Sequence, residues 1–177
     1  MPPSPLSRPR LAADAIVNAA NSALLGCFIP CHGCIDNAIH SSAGLQLRDE
    51  CAALMRAQGH EEPNGRAKLT RGYNLPAKHV IHTVGPIVRG PSPTARDRAD
   101  LAACYRSCLG LAAEWGLRSV AFCCISTGEF RFPRREAARI AVSTVRDVLG
   151  AGSSSVERVV FNVFKDDDLA IYRDLLG

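Results

Sequence analysis

The sequence predicts an α/β fold, a sheet with helices packed on both faces. Two observations predict it. Short apolar runs ("DAIVNAA", "HVIHTVGP", "SVAFCCIS" and the end of "SSSVERVVFNVF") alternate with longer segments of helical period. The chain of 177 residues, 47% hydrophobic and 21% charged, suits one domain whose core needs no disulfide or metal staple.

Each element follows in order. Residues 1–10 carry four prolines and read as an irregular or extended N-terminus, with the folded domain over 11–177. Residues 14–20 read as a short buried strand running into a polar turn at Asn21 and Ser22. From Ile35 the period is helical, with Ile35, Ala38 and Ile39 on one face and a break near Gly44. Leu47, Cys51, Leu54 and Met55 continue at helical spacing up to Gly59. The stretch "HEEPNGRAKLTRGYNLPAK" reads as polar turns, and residues 79–86 as a buried strand ending at Gly85-Pro86. A Pro-rich loop over 90–94 precedes a long amphipathic helix over about 95–115. Residues 119–126 read as a strand and "TGEFRFP" as a loop, with a helix behind it to about 149. A last strand ends "SSSVERVVFNVF", and "DDDLAIYRDLL" opens with acids suited to a helix N-terminus. Four strands result. In such sheets ligands bind beyond the carboxyl ends of strands. The polar segments "NAANSALLGC", "TVGP", "STGEF" and the region after "FNVF" therefore converge on one rim.

The totals exclude several classes. A net charge of +4 is too weak to argue for nucleic acid, but suits a small anionic ligand. No apolar run approaches a membrane span, and "MPPSPLSRPR" lacks the apolar core of a signal peptide. The eight cysteines sit in apolar strand and helix patterns, which reads as free thiols in a reducing cytoplasm.

The segment "GCFIPCHGCIDNAIH" concentrates chemistry. Cys31-x-x-Cys34 is followed by Ile35, so a haem attachment site is excluded. A Cys31/Cys34 redox pair stays open, though the Asn-rich loop and Asp36 do not resemble a thioredoxin segment. Zinc prefers thiolate and imidazole donors, and Cys27, Cys31, His32 and Cys34 are candidates. Cys31 and His32 are adjacent and tend to diverge, whereas Cys27, His32 and Cys34 form a set that one loop can fold around an ion. Buried thiols beside a solvated histidine are the bland alternative.

The surrounding residues resemble a known family. "DAIVNAAN", "LLG", "IDNAIH", "LTRGYNLPAKHVIHTVGP" and "ISTGEFRFP", in that order, are similar to the motifs of the macrodomain, the ADP-ribose-binding fold. The resemblance runs from Asp14 to the C-terminus and implies a three-layer α/β/α domain with a mixed central sheet. Where the family has a Gly-rich run before the next helix, this chain has "CFIPCHGCI". That resembles the zinc-dependent subclass, which are ADP-ribosyl hydrolases. It assigns Zn2+ to Cys27, His32 and Cys34 and leaves Cys31 a bystander.

By the same resemblance, Ala19 and Asn21 lie against the ligand, with the Asn21 amide on the distal ribose. Asp36 lies near the pyrophosphate and distal ribose, or else serves only as a helix N-terminal charge. Asn18 braces the loop. Ser126, Thr127, Gly128, Glu129 and Phe130 match the second phosphate-binding loop, where Gly128 admits the backbone to the pyrophosphate. Glu129 must point away from the phosphates. Phe130 shields the distal ribose or packs in the core; Arg131 pairs with phosphate or is a solvated charge. Asn162 and Phe164 fall where the family places the adenine, with Phe164 stacked on it or buried. His79 and His82 read as structural.

The chain departs from the family at its start. The adenine-binding Asp of the first strand falls at Ser7, between Pro5 and Pro9, so that strand is missing or irregular, adenine recognition is weakened and a sheet edge is exposed. Residues 1–13 are likewise not expected to supply the additional N-terminal helical region usual in the zinc subclass. The function implied is removal of mono-ADP-ribose from modified protein side chains, through Asn21, Asp36 and a zinc-bound water or ribose hydroxyl. Its partners would be ADP-ribose, the mono-ADP-ribosylated protein and, by analogy alone, a sirtuin-type ADP-ribosyltransferase. A non-catalytic ADP-ribose-binding module and an O-acetyl-ADP-ribose deacetylase are the alternatives.

Overall fold

The computed structural model describes residues 13–29, 32–152 and 154–177. The irregular N-terminus read over residues 1–10, Ser7 with its flanking prolines, and Cys31 of the redox alternative lie outside the described residues.

Five strands form one sheet in the order β2-β3-β1-β4-β5: β1 (Ala15–Ala20), β2 (Ala67–Arg71), β3 (His79–Val84), β4 (Ser119–Phe122) and β5 (Arg158–Phe161). All neighbours pair parallel except β2 with β3, so the sheet is mixed. The helices are α1 (Ile35–Ala43), α2 (Leu45–Gln58), α3 (Ala95–Glu114), α4 (Arg134–Gly150) and α5 (Asp166–Leu176). Among the described residues no helix is long and apolar enough to cross a membrane.

Strand periodicity divides the core in two. Ala15 and Val17 of β1 and Ile81 of β3 face a core shared with α3, α4 and Tyr172 of α5. Ile16 and Ala20 of β1, with Val80 and Val84 of β3, face a second core with Ile39, Ala43, Leu47 and Cys51 of α1 and α2. Two helical layers therefore enclose the sheet. The helix ends follow local chemistry: Thr94 and Asp97 form a reciprocal capping box on α3. Gly44 breaks α1 from α2 at a φ of 95°.

Three readings of the sequence are corrected. Strand β2 lies within the stretch read as turns. It is an edge strand, mostly half-buried, and forms through antiparallel pairing with β3 rather than through its own apolar pattern. Strand β4 ends at Phe122, four residues before the end read from "SVAFCCIS", because the chain turns out of the sheet there. Thr127 closes that turn with its N–H and hydroxyl on the Cys124 carbonyl, at 3.4 and 3.0 Å. Ile35 is exposed, and the buried face of α1 is Asp36, Ile39 and Ala43.

Asp14 ties three strands at the base of the sheet. Its carboxylate accepts from Lys78 Nζ at 3.1 Å, from the Arg118 and Ser119 N–H groups at 3.0 and 3.1 Å, and from Ser119 Oγ at 3.0 Å. Lys78 first, and then the Arg118 and Ser119 donors, hold its pKa down at about 2. The folded-state pKa lies below the unfolded one. The stabilisation is therefore complete above the ordinary carboxylate pKa of about 3.9 and is lost as pH falls through the folded value. Asp14→Ala is expected to lower the unfolding free energy by roughly 1–3 kcal/mol at neutral pH. Urea denaturation reads this, and the gap to the parent chain should close as pH falls toward about 2. A gap that stays constant into acid would assign the loss to packing.

Candidate functional site

The carboxyl ends of β1, β3, β4 and β5 open on one rim, because these strands run parallel. The loop after β1 spans residues 21–34 and ends at the N-terminus of α1. Asn21 shapes its start: the side-chain Nδ2 donates to the Gly26 carbonyl at 3.1 Å, and Oδ1 accepts from the Ala23 N–H at 3.1 Å. Gly26 sits at a φ of 90° with the His40 ring packed against it, and a Cβ there would lie 3.1 Å from that ring. At the far end Cys34 is the N-cap of α1, its Sγ accepting from the Asn37 N–H at 3.4 Å. The Asn37 amide returns to the His32 carbonyl at 2.9 Å.

This folding brings Cys27, His32 and Cys34 together, with one donor atom of each within 4.8 Å of the others. All three are half-buried. Cys27 Sγ lies 3.2 Å from His32 Nδ1, and His32 Nε2 lies 3.3 Å from Glu129 Oε1. The Ile29 N–H first, and His32 next, pull the Cys27 thiol down from its ordinary pKa. Burial pushes Cys34 up, and the Cys27 contact followed by Glu129 raises His32. The seven described cysteines are all free thiols.

Asp36, in the first turn of α1, is 4% exposed. It is therefore buried rather than solvated, while still in the first turn of the helix as the alternative reading had it. Its Oδ1 accepts from Asn18 Nδ2 at 2.7 Å and lies 3.5 Å from His40 Nε2. Burial raises its pKa, opposed by Asn18 and then His40. Asn18 does brace the site, but from beneath, through Asp36 rather than through the loop itself.

The loop after β4 forms the opposite wall. Ser126 is buried at a φ of 64°, and Arg131 turns the chain again at 58°. Phe132 N–H bonds back to the Ser126 carbonyl at 2.9 Å, and Arg131 N–H to that of Gly128 at 3.0 Å. No described residue accepts from the N–H groups of Gly128, Glu129 and Phe130, so three successive donors stay open to an anion. Thr127 is half-buried and Gly128 exposed. The Glu129 side chain turns across to His32. Phe130 is half-buried, its carbonyl held by the Val88 N–H at 2.9 Å, and Arg131 is exposed.

The remaining residues are more dispersed. Ala19 is half-buried near the end of β1. Asn162 is exposed just past β5, its N–H on the Phe122 carbonyl at 2.7 Å. Phe164 is 94% exposed, which overturns the alternative of core packing. His79 and His82 sit in β3 as read, and His82 is fully buried. Sequence reasoning missed the Glu129–His32 contact and the link from Asn18 to His82. The signal for the second was present: Asn18 and His82 both fall on the inward-facing period of adjacent strands.

The model of the family described as Macro domain matches residues 17–141. A protein-ADP-ribose hydrolase of Treponema medium is 58% identical over 94% of this chain and 63% of its own length. One from Staphylococcus aureus (strain Mu50 / ATCC 700699) is 55% identical over 94% of this chain and 62% of its own. The chain thus spans under two thirds of these curated relatives. Among solved structures, the Oceanobacillus iheyensis macrodomain with ADP aligns at a TM-score of 0.84 and 37% identity, covering 94% of this chain and 84% of that one. The Trypanosoma brucei macrodomain in complex with ADP-ribose aligns at 0.80 and 40%, covering 94% and 64%.

The β4 loop depends on one close approach. A Cβ on Gly85 would lie 2.1 Å from Ser126 Oγ and 2.8 Å from Ile125 Cγ2. Gly85→Ala is expected to push Ser126 outward and to lower stability by roughly 1–3 kcal/mol, read by denaturant unfolding. Amide resonances from Ser126 to Phe132 should shift with it. Unchanged resonances there would show that the loop tolerates the extra carbon.

Proposed function

The chain belongs to the Macro domain family, and on that premise we propose that it is a zinc-dependent hydrolase that removes mono-ADP-ribose from modified protein side chains. One observation carries the reading: Cys27, His32 and Cys34 converge in the loop between Asn21 and α1, and His32 reaches Glu129 of the loop whose amides at 128–130 are open. The activity named for its relatives and the nucleotides named in the related structures support it.

The donor set fits zinc. Two sulfurs and one imidazole nitrogen are its preferred ligands, and three protein ligands leave a position open. His32 turns Nδ1 toward Cys27 and Nε2 toward Glu129, the arrangement in which a liganding histidine gives its second N–H to a carboxylate. When bound, the ion supplies a Lewis acid that lowers the pKa of water or polarises a ribose oxygen.

The chain's own residues do the remaining work. The N–H groups of Gly128, Glu129 and Phe130 hold the pyrophosphate, and Phe130 covers the distal ribose. Asn21, already committed to the loop by one N–H, offers its second N–H to a ribose hydroxyl. Asp36 Oδ2, the oxygen not held by Asn18, accepts a hydroxyl proton and lends negative charge where the ring becomes cationic. Ser126 anchors the pyrophosphate loop, Asn162 and Phe164 receive the adenine, and Ala19 lines the floor. The modified protein carries the leaving side chain, and a sirtuin-type transferase is the natural source of that modification. The burial of Asp36 favours one second reading, an ADP-ribose-binding module without turnover.

Metal analysis and release of ADP-ribose from a mono-ADP-ribosylated protein separate the two. Cys27→Ala, His32→Ala and Cys34→Ala are each expected to lose both zinc and turnover, while Cys31→Ala keeps both. Equal damage from Cys31→Ala would refute the ligand set, and full turnover in a chelator would refute the metal. Glu129→Gln is expected to weaken zinc binding about tenfold, read by competition with a chromogenic chelator.

A further inference from the structure

A line of buried polar groups runs away from Asp36 and out of the site. Asn18 Nδ2 reaches both Asp36 Oδ1 at 2.7 Å and His82 Nδ1 at 3.2 Å. The other nitrogen of His82, Nε2, lies 2.9 Å from Thr70 Oγ1, and that hydroxyl lies 3.4 Å from the Val80 carbonyl. Asn18, His82 and Thr70 are fully buried and Asp36 nearly so. The register of the sheet builds the line, since Asn18 pairs with His82 across β1 and β3, and Thr70 with Val80 across β2 and β3.

The polarity of this line is fixed by its ends. An amide nitrogen only donates, so His82 Nδ1 must be bare and its proton must sit on Nε2. Nε2–H then donates to Thr70 Oγ1, whose own O–H is left for the Val80 carbonyl. An Asn18 turned the other way would set its oxygen against the Asp36 carboxylate at 2.7 Å, two acceptors face to face. The two hydrogens of Asn18 Nδ2 thus donate to opposite sides, one to Asp36 and one to His82, and from His82 the donation runs on through Thr70 to the Val80 carbonyl.

We propose that Thr70 and His82 orient the Asn18 amide through a hydrogen-bond line of fixed donor–acceptor order, and that Asn18 in turn positions Asp36, which makes Thr70 and His82 positioning residues of the hydrolytic site. This rests on the role given above to Asp36. The relay also bears on a second group of donors. His40, Cys51 and His82 come within 4.8 Å of one another, with Cys51 Sγ at 3.7 Å from His82 Nε2. On this tautomer the His82 nitrogen that faces Cys51 carries the proton and is committed to Thr70, so the ring offers that group no lone pair.

Two substitutions of an edge-strand hydroxyl test the relay. Thr70→Val keeps the shape and removes the acceptor; Thr70→Ser keeps the acceptor and removes a methyl. The relay predicts that Thr70→Val lowers kcat roughly tenfold at unchanged KM and zinc content, and that Thr70→Ser restores it. A purely structural role predicts the reverse order, and that outcome overturns the proposal. Long-range proton–nitrogen NMR of histidine-labelled protein reads the tautomer directly. His82 should be neutral with its proton on Nε2 from about pH 6 to about pH 8. A proton on Nδ1, an imidazolium, or a second zinc ion per chain that is lost in Cys51→Ala overturns it. The tautomer is read without substrate. A parent chain with no turnover would retire the hydrolase reading, and the tautomer alone would then decide the relay.

Discussion

The site depends on an asparagine amide buried in the middle of the central strand. Asn18 stands between two parallel neighbours at a position where alternation would normally place an apolar side chain. A buried amide is costly unless it is bonded. Asn18 Nδ2 finds Asp36 on one side and His82 on the other. The first bond fixes the opening turn of α1 against the sheet. Because Cys34 caps that same turn, it also fixes one end of the loop that carries Cys27 and His32. The Asn18 carbonyl oxygen has no partner among the described residues, so the amide is held by its nitrogen alone.

The opposite wall is held by a different constraint, close packing of backbone. Gly85 has no room for a side chain because Ser126 lies where its Cβ would be. That contact, with the bond from Val88 to Phe130, locks the β4 loop to the end of β3. Among the described residues, the two walls meet at a polar contact, Glu129 with His32. A carboxylate beside a pyrophosphate would be repulsive. Turned toward the histidine, it leaves the three open N–H groups of its loop free of competing charge.

Much of this was legible in the sequence. The alternation of apolar runs and helical periods gave the layers, and the spacing of Cys27, His32 and Cys34 gave the cluster. What was not legible depended on pairing between distant segments. Strand β2 carries little apolar pattern and exists because β3 offers it an edge. The shortened β4 depends on a turn closed by Thr127. Ile35 follows the helical period yet faces solvent, and Asp36 takes the inner position because Asn18 awaits it there. A polar residue preferred over an apolar one on a buried face is a sign of function that periodicity alone misreads.

Two groups of cysteine and histidine lie close together in this domain, and residue type does not distinguish them. Their hydrogen-bond partners do. In the loop, His32 gives one nitrogen to Cys27 and the other to Glu129, and the Cys27 thiol is pulled down by the Ile29 N–H and the histidine. Both changes favour the deprotonated sulfur that a metal needs. Under the sheet, burial pushes the Cys51 thiol up to about 12. Burial likewise lowers His82 to about 3, so its ring stays neutral, with both nitrogens spoken for by Asn18 and Thr70. The inner group is thus held as protonated thiol and committed imidazole, which pack as core. In the outer group the Cys27 thiol is drawn toward the thiolate while burial pushes Cys34 up, and all three side chains are half-buried. The two groups thus differ in surroundings rather than in residue type: the outer one lies half-buried in a loop beside backbone donors, the inner one lies among the buried residues of the sheet and α2.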